Sequence, residues 1–390
     1  MYFRPTPYGI VSLPFILALT NSSIDSLFGE FSFYDVSWTL IGVLDIFLVL
    51  FFFFSVLRVS VDFFSLFSFF SLISVSMFVY FYFSDPSSLI FYWMYLKIFL
   101  VYIVFLDVFR RVKRSRPFDV IMSWCLVSLF LLMCTFYYFS SVGRLSFPHL
   151  NQNVLSNFLV LALMLIVGVQ FVFGVSKYFK YFVILVTIFV VALTQSRMGL
   201  LLLMFVFLYS EFRIFGIKRL TFLILPVLFV SFFLFYDYFL RFLDFLVFFQ
   251  TFDVNSVDTL RSRLVLWAVN YSYFVDHFYF GYGPGRYIID SEYGYQMGSL
   301  LGHGYVAVTA HNDFLQVSSG FGLLFSLIFF SFVYYKLRLA GTVFMLLFSV
   351  MMVFNSNLET SRFLFLLGVY LAFIYTFFNR NRGKAQDGLD

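Results

Sequence analysis

Apolar residues run through this chain in long continuous stretches separated by short polar joints, without the strict alternation of a half-buried strand. In lipid a spanning segment must satisfy its own backbone polar groups, which leaves helices or closed barrels. Unbroken runs select helices, because barrel strands alternate. A helix needs roughly 17 to 25 apolar residues to cross. On that measure the chain holds about twelve spans, at about 6–20, 38–56, 63–83, 88–106, 119–140, 153–175, 181–194, 198–210, 220–240, 312–333, 340–354 and 363–378. The expected fold class is therefore all-α, a polytopic integral membrane helical bundle. Only one joint is long, at about 241–311 between spans nine and ten. It divides the chain into an N-terminal bundle (1–240), a large loop (241–311), C-terminal spans (312–378) and a tail (379–390).

Composition agrees with the pattern. Hydrophobic residues make up 62% and charged residues 12%, with a mean hydropathy of +0.95, whereas soluble domains run near half apolar and a quarter charged. A soluble fold is excluded on that ground, and the 65 Phe suit a lipid-facing surface. Net charge is +5 and the pI about 9.0, but the basic residues sit in short clusters between apolar runs. That is a topogenic pattern and not a nucleic-acid patch. Cys125 and Cys134 lie nine residues apart in one apolar run, about 13 Å along a helix, which excludes a disulfide. The N-terminal MYFRPTPYGIVSLPFILALT has one Arg before its apolar stretch and no convincing cleavage site, so a first span is expected there.

Sorting the joints by charge orients the bundle. One side collects Arg4, Arg58, the cluster from Arg110 to Arg116, Lys177 and Lys180, Arg213, Lys218 and Arg219, Lys336 and Arg338, and Arg380, Arg382 and Lys384. The other side holds Arg144, Arg197, Arg241, Arg261, Arg263, Arg286 and Arg362. The richer side is expected to be cytoplasmic, with both termini on it, and the long loop then lies outside. Outside, every basic residue is Arg, the side chain suited to planar, bidentate recognition of phosphate and carboxylate. Chance and topology bias against Lys would leave the same pattern.

Four polar groups interrupt the apolar background on that outer side. Arg263 and Trp267, in RSRLVLW, are spaced i, i+4 and share a helix face; an interfacial helix with a snorkelling Arg would show the same spacing. Gly281, Gly283, Pro284 and Gly285 form a turn whose backbone can approach a ligand closely. AHNDFLQVSSGFGLLF brings His311, Asn312 and Asp313 to the start of a helix, where Asn312 or Asp313 can cap it and an anion is favoured. A passive interfacial histidine would also fit there. Ser196 and Arg197, in TQSRMGLL, end the seventh run, where a charge needs protein, water or an anion beside it.

Further candidates are less determinate. His277 and His303 rival His311 as a base, and Asp276, Asp290 and Glu292 are available to orient a histidine. Asn357, Glu359 and Arg362 either line a site or terminate two helices. The histidines are scattered and no D-x-D pair stands outside, so neither a metal nor a cofactor is expected. Within the apolar runs, Asp45 and Lys97 are expected to pair across the bundle.

SRMGLL, RLVLW, GYGPG and HNDFLQ, followed by a GFG-containing helix, stand in this order in 190–325. In that order and on one side of the membrane they resemble the O-antigen polymerase and O-antigen ligase superfamily. The resemblance implies a multi-pass, GT-C-like glycosyltransferase of the inner membrane that moves a glycan from undecaprenyl diphosphate to an acceptor hydroxyl in the periplasm. It implies that Arg197 and Arg263 bind the diphosphate and that His311 sits by the reacting hydroxyl. Arg286, Trp267, Gly283, Gly285, Asn312 and Glu359 are added as candidate substrate contacts. Expected partners are the undecaprenyl-diphosphate-linked oligosaccharide and membrane lipid, with a chain-length regulator and a flippase, and no nucleic acid. The Phe-rich character favours the polymerase; the ligase, acting on lipid A core, is the alternative. A lipid-linked sugar transporter is disfavoured, because no internal repeat is present and the polar residues gather in one outer loop.

Overall fold

The computed structural model describes residues 30–33, 36–39, 43–83, 88–110, 152–173, 177–194, 196–215, 258–283, 311–354, 358 and 361–386. Ten helices lie among them: α1 (Val43–Val56), α2 (Phe63–Phe83), α3 (Ser88–Arg110), α4 (Gln152–Phe173), α5 (Lys177–Thr194), α6 (Arg197–Phe215), α7 (Asp258–Asp276), α8 (Asp313–Leu337), α9 (Thr342–Phe354) and α10 (Ser361–Gln386). Nine coincide with expected spans, and α7 is an additional helix within the stretch expected to be a long loop. The expected spans at 6–20, 119–140 and 220–240 lie outside the described residues, as do Cys125 and Cys134.

The described residues form the expected helical architecture, and to it they add one short antiparallel hairpin, β1 (Glu30–Phe33) with β2 (Val36–Thr39). Its register sets Phe31 opposite Trp38 and Phe33 opposite Val36, with Glu30–Thr39 and Ser32–Ser37 as the alternate pairs. That is the period-two separation of apolar and polar faces that a two-stranded ribbon needs. Trp38 and Thr39 therefore belong to a strand, and the second span begins only at Val43.

The helices form despite their composition. α2 reads FFSLFSFFSLISVSMFVYFYF, and aromatic and β-branched residues are indifferent helix formers by a few tenths of a kcal/mol. An unsatisfied peptide group in lipid costs several kcal/mol, so the medium overrides propensity. Two described stretches, Tyr92–Arg110 and Asp313–Leu337, are long and apolar enough to cross a membrane. Outward faces are apolar too: Phe51, Phe53, Phe54, Phe67, Phe70 and Phe81 of α1 and α2 are each more than half exposed.

The interior is built around α3, against which α1, α2 and α10 pack. Gly368 lets α10 approach closely, since a Cβ there would stand 2.9 Å from the Ile98 carbonyl oxygen. α8 adds an aromatic ladder: Phe321, Phe325 and Phe329 meet Tyr95 edge to face, and Phe332 lies tilted on Phe99 with ring centroids 4.1 Å apart. α4 packs with α5, α6 and α10, while α7 lies against α8.

Ion pairs among the described residues cross this core. Lys97 Nζ lies 2.7 Å from Asp45 Oδ2, with both side chains at most 5% exposed, so the expected pairing of α1 with α3 is present. Trp93 Nε1 donates to the same carboxylate at 3.3 Å. At the other end of α8, Lys336 Nζ lies 2.6 Å from Asp62 Oδ2 and 3.9 Å from the Tyr375 ring centroid. Asp62 also caps α2, accepting from the Ser65 amide at 3.1 Å. Burial raises the Asp62 carboxyl, but the Lys336 charge and hydrogen bonds from Lys336 and Ser65 outweigh it and hold it below the usual carboxylate range.

Candidate functional site

α8 starts with a defined cap. Asn312 is extended (φ −153°, ψ 108°) and its side chain accepts from the Leu315 amide at 3.2 Å, so Asn312 and not Asp313 is the N-cap. Asp313, fully buried, does something else. Its Oδ1 accepts from the backbone amide of Leu358 at 2.8 Å, which ties the turn between α9 and α10 to the start of α8. Leu358 belongs to the polar turn expected around Asn357, Glu359 and Arg362, of which Asn357 and Glu359 lie outside the described residues.

His311, just before the cap, has φ +48°. A left-handed backbone at a non-glycine residue stores strain of order 1 kcal/mol and is found mainly where the surroundings impose it. Burial, and then the nearby positive charge of Arg263, push its imidazole down to about 4. The ring is therefore neutral throughout the physiological range. Among the described residues, the charge that acts on His311 is the Arg263 guanidinium.

Arg263 stands on α7, and Trp267, Asn270 and Phe274 follow it on the same arc of that helix. Asn270, 2% exposed, accepts from Ser319 Oγ at 3.0 Å and donates to its own Leu266 carbonyl at 2.9 Å. α7 and the first half of α8 thus run side by side in the same direction, with Arg263 level with His311 and Asn270 level with Ser319.

Below that rung α8 is broken. Gly322 has φ +77° and ψ 178°, so the helix ends at Phe321 and restarts. The segment after α7 fills the break: Tyr282 and Gly283 amides donate to the Ser319 and Gly320 carbonyls at 2.8 and 3.1 Å, and the Leu323 amide donates to the Phe278 carbonyl at 2.8 Å. A broken helix at membrane depth is tolerated when its freed groups are satisfied in this way. Glycine is required on both sides, since a Cβ on Gly281 would come within 2.4 Å of the Gly320 oxygen, and one on Gly322 within 2.4 Å of the Gly281 nitrogen. What the first glycines of the turn approach in the structure is the backbone of α8. Gly285 and Arg286 lie outside the described residues.

His277 lies just beyond the end of α7, exposed, with Nδ1 3.3 Å from the Tyr273 carbonyl. It is fourteen residues, about 21 Å along the axis, from Arg263. His149 and His303 lie outside the described residues. Arg197 is the first residue of α6, whose N-cap is Ser196: its Oγ accepts from the Gly199 amide at 3.2 Å. Gly199 is pressed against α4, because a Cβ there would stand 2.5 Å from Ser156 Cβ. SRMG thus reads physically as cap, charge, spacer and helix contact. Among the described residues no three His, Cys, Asp or Glu side chains converge.

Several of these residues carry weak sequence signals. Asp313 was read only as a possible cap, and Asn270, Ser319, Asp62 and Lys336 are single polar residues in apolar surroundings. Asn270 alone was recoverable, since it follows Arg263 by seven residues on the same face.

Residues 181–330 match the family described as O-antigen ligase. No curated protein matches the chain. The matched segment starts within α5 and ends within α8, so Arg197, Arg263, Trp267, Gly283, Gly285, Arg286, His311 and Asn312 fall inside it, and Glu359 outside. The apolar helices mark a membrane protein, and its α5–α8 region, under half of the chain, is similar to the O-antigen ligase family.

Proposed function

From an O-antigen ligase family domain over residues 181–330, we propose that this protein is a metal-independent, GT-C-like glycosyltransferase of the inner membrane, polymerising undecaprenyl-diphosphate-linked O-antigen repeat units at the periplasmic face. Both termini are then cytoplasmic. The observation that supports this most directly is a half-buried, neutral imidazole at His311 under the charge of Arg263. It is an arrangement that keeps a proton acceptor unprotonated beside an anion-binding cation.

In the reaction, the acceptor hydroxyl gives its proton to His311 as its oxygen bonds the anomeric carbon of the donor. The bond from that carbon to the diphosphate oxygen breaks, and the electron pair leaves on the lipid diphosphate. Arg263 and Arg197 stabilise the charge that develops there, an electrostatic contribution of the kind that dominates many transfers. Trp267, four residues beyond Arg263 on α7, offers a ring face to a sugar. Arg286 and Glu359 are proposed as further contacts from the flanking loops. Asn312, its side chain taken up by the Leu315 amide, serves by fixing where α8 starts.

A second reading has a specific basis: the matched family is described as O-antigen ligase, whose acceptor is lipid A core. One assay separates the two. Purified protein in vesicles is given lipid-linked repeat units, with and without lipid A core. A ladder of products without core supports the polymerase; transfer that requires core supports the ligase. Near-normal transfer by H311A would remove His311 as the base.

A further inference from the structure

Arg263 stands on α7 and His311 just before the cap of α8, and the two helices lie against each other. Two features of the pair are directional. The first is the buried Asn270–Ser319 hydrogen bond, 3.0 Å long and forty-nine residues apart in sequence. The second is the backbone joint between 278–283 and the break at Gly322, where glycine meets glycine.

Asn270 lies seven residues beyond Arg263, about 10 Å along α7 and on the same face, and Ser319 lies six residues beyond Asp313, about 9 Å into α8. Both polar partners therefore sit roughly two turns below the residues of the candidate site. A buried amide in an apolar helix stabilises little by itself, but it can fix register where apolar packing leaves it degenerate. Asn270 is well suited to that use: its amide nitrogen is held by its own helix at Leu266, so its oxygen points in one fixed direction. The Ser319 hydroxyl has a second, longer acceptor in the Gln316 carbonyl at 3.3 Å, so removing Asn270 would not strand it.

We propose that Asn270 and Ser319 are positioning residues: their bond, set above the glycine joint, fixes the axial register of α7 on α8 and so holds Arg263 beside His311. The functional consequence rests on the reading of Arg263 and His311 as a glycosyl-transfer pair. The geometric claim does not.

The two are tested separately. His side chains are labelled with 13C at Cε1 in the full-length protein in detergent, the His311 signal is assigned by its loss in H311N, and its titration midpoint is followed in N270L, S319A and S319T. N270L and S319A let Arg263 drift from His311, and the midpoint rises by roughly a pH unit, a tenfold change in proton affinity, towards that of R263Q. S319T keeps the hydroxyl and the wild-type midpoint. Each sample is taken from the monodisperse fraction with wild-type helix content. S319A deletes a single oxygen, which keeps a folded sample available if N270L does not accumulate. An unmoved midpoint in S319A overturns the proposal, even if transfer falls. A raised midpoint with transfer unaffected sustains the positioning role and sinks the functional reading of the pair.

Discussion

Replacing Arg263 with Gln removes a charge from beside His311 while leaving a side chain of similar length, and the structure says how far the imidazole should respond. An ordinary histidine titrates near 6.5, whereas His311 is held at about 4. At pH 5 an ordinary imidazole is about 97% protonated, and one with a midpoint of 4 only about 9%. Burial is the larger cause and the Arg263 charge the second. R263Q removes only the second, so the midpoint must rise yet stay below 6.5. The same 13C titration measures it without any need for activity. The sign for stability follows. Between about 4 and 6.5 the unfolded chain binds a proton at this position that the folded chain does not, so stability falls as pH drops through that window; above it the group contributes nothing. In catalysis, the acid limb of kcat/KM lies near pH 4 in the wild type. Inorganic pyrophosphate should raise the His311 midpoint in the wild type, since an anion on Arg263 offsets its field, and should leave R263Q unchanged. A wild-type midpoint at or above 6.5, or one that R263Q does not move, refutes the electrostatic coupling on which the site is built.

Three further outcomes are expected. K97M leaves the Asp45 carboxylate buried without its lysine and should destabilise by about 3–5 kcal/mol, with D45N/K97M recovering most of the loss in thermal unfolding in detergent. G199A forces α6 away from α4 at Ser156 and should cost about 1–3 kcal/mol as overpacking, together with weaker donor binding, and S156G/G199A should restore both; failure of the double variant would show that this contact does not position Arg197. G322A drives a Cβ into backbone atoms of the turn after α7 at a positive φ, so no second-site side-chain change should rescue it, and partial proteolysis should then open the 277–283 segment.

Much of the architecture was legible in the sequence because lipid imposes a severe rule on it. An apolar run long enough to cross must be helical, and α2 follows that rule in spite of its Phe-rich composition. The pairing of Asp45 with Lys97 was legible for a related reason, since a charge in an apolar run must find a partner. The order of SRMGLL, RLVLW, GYGPG and HNDFLQ pointed to the family that residues 181–330 match. Other features depend on pairings between distant segments, which no local pattern encodes. The hairpin at 30–39 appeared only as the edge of an apolar run. The glycines of the turn looked like ligand-approach glycines, although Gly281 and Gly283 dock on the break in α8, because absence of a side chain says that something comes close and not what. Asp313 looked like a cap until Leu358 was brought to it, and His311 like an ordinary histidine until burial and Arg263 acted on it. Sequence thus determined the medium, the helices and the residue types of the site. Tertiary structure decided which of them meet, because a contact between residues tens of positions apart is fixed by packing, register and charge at a distance.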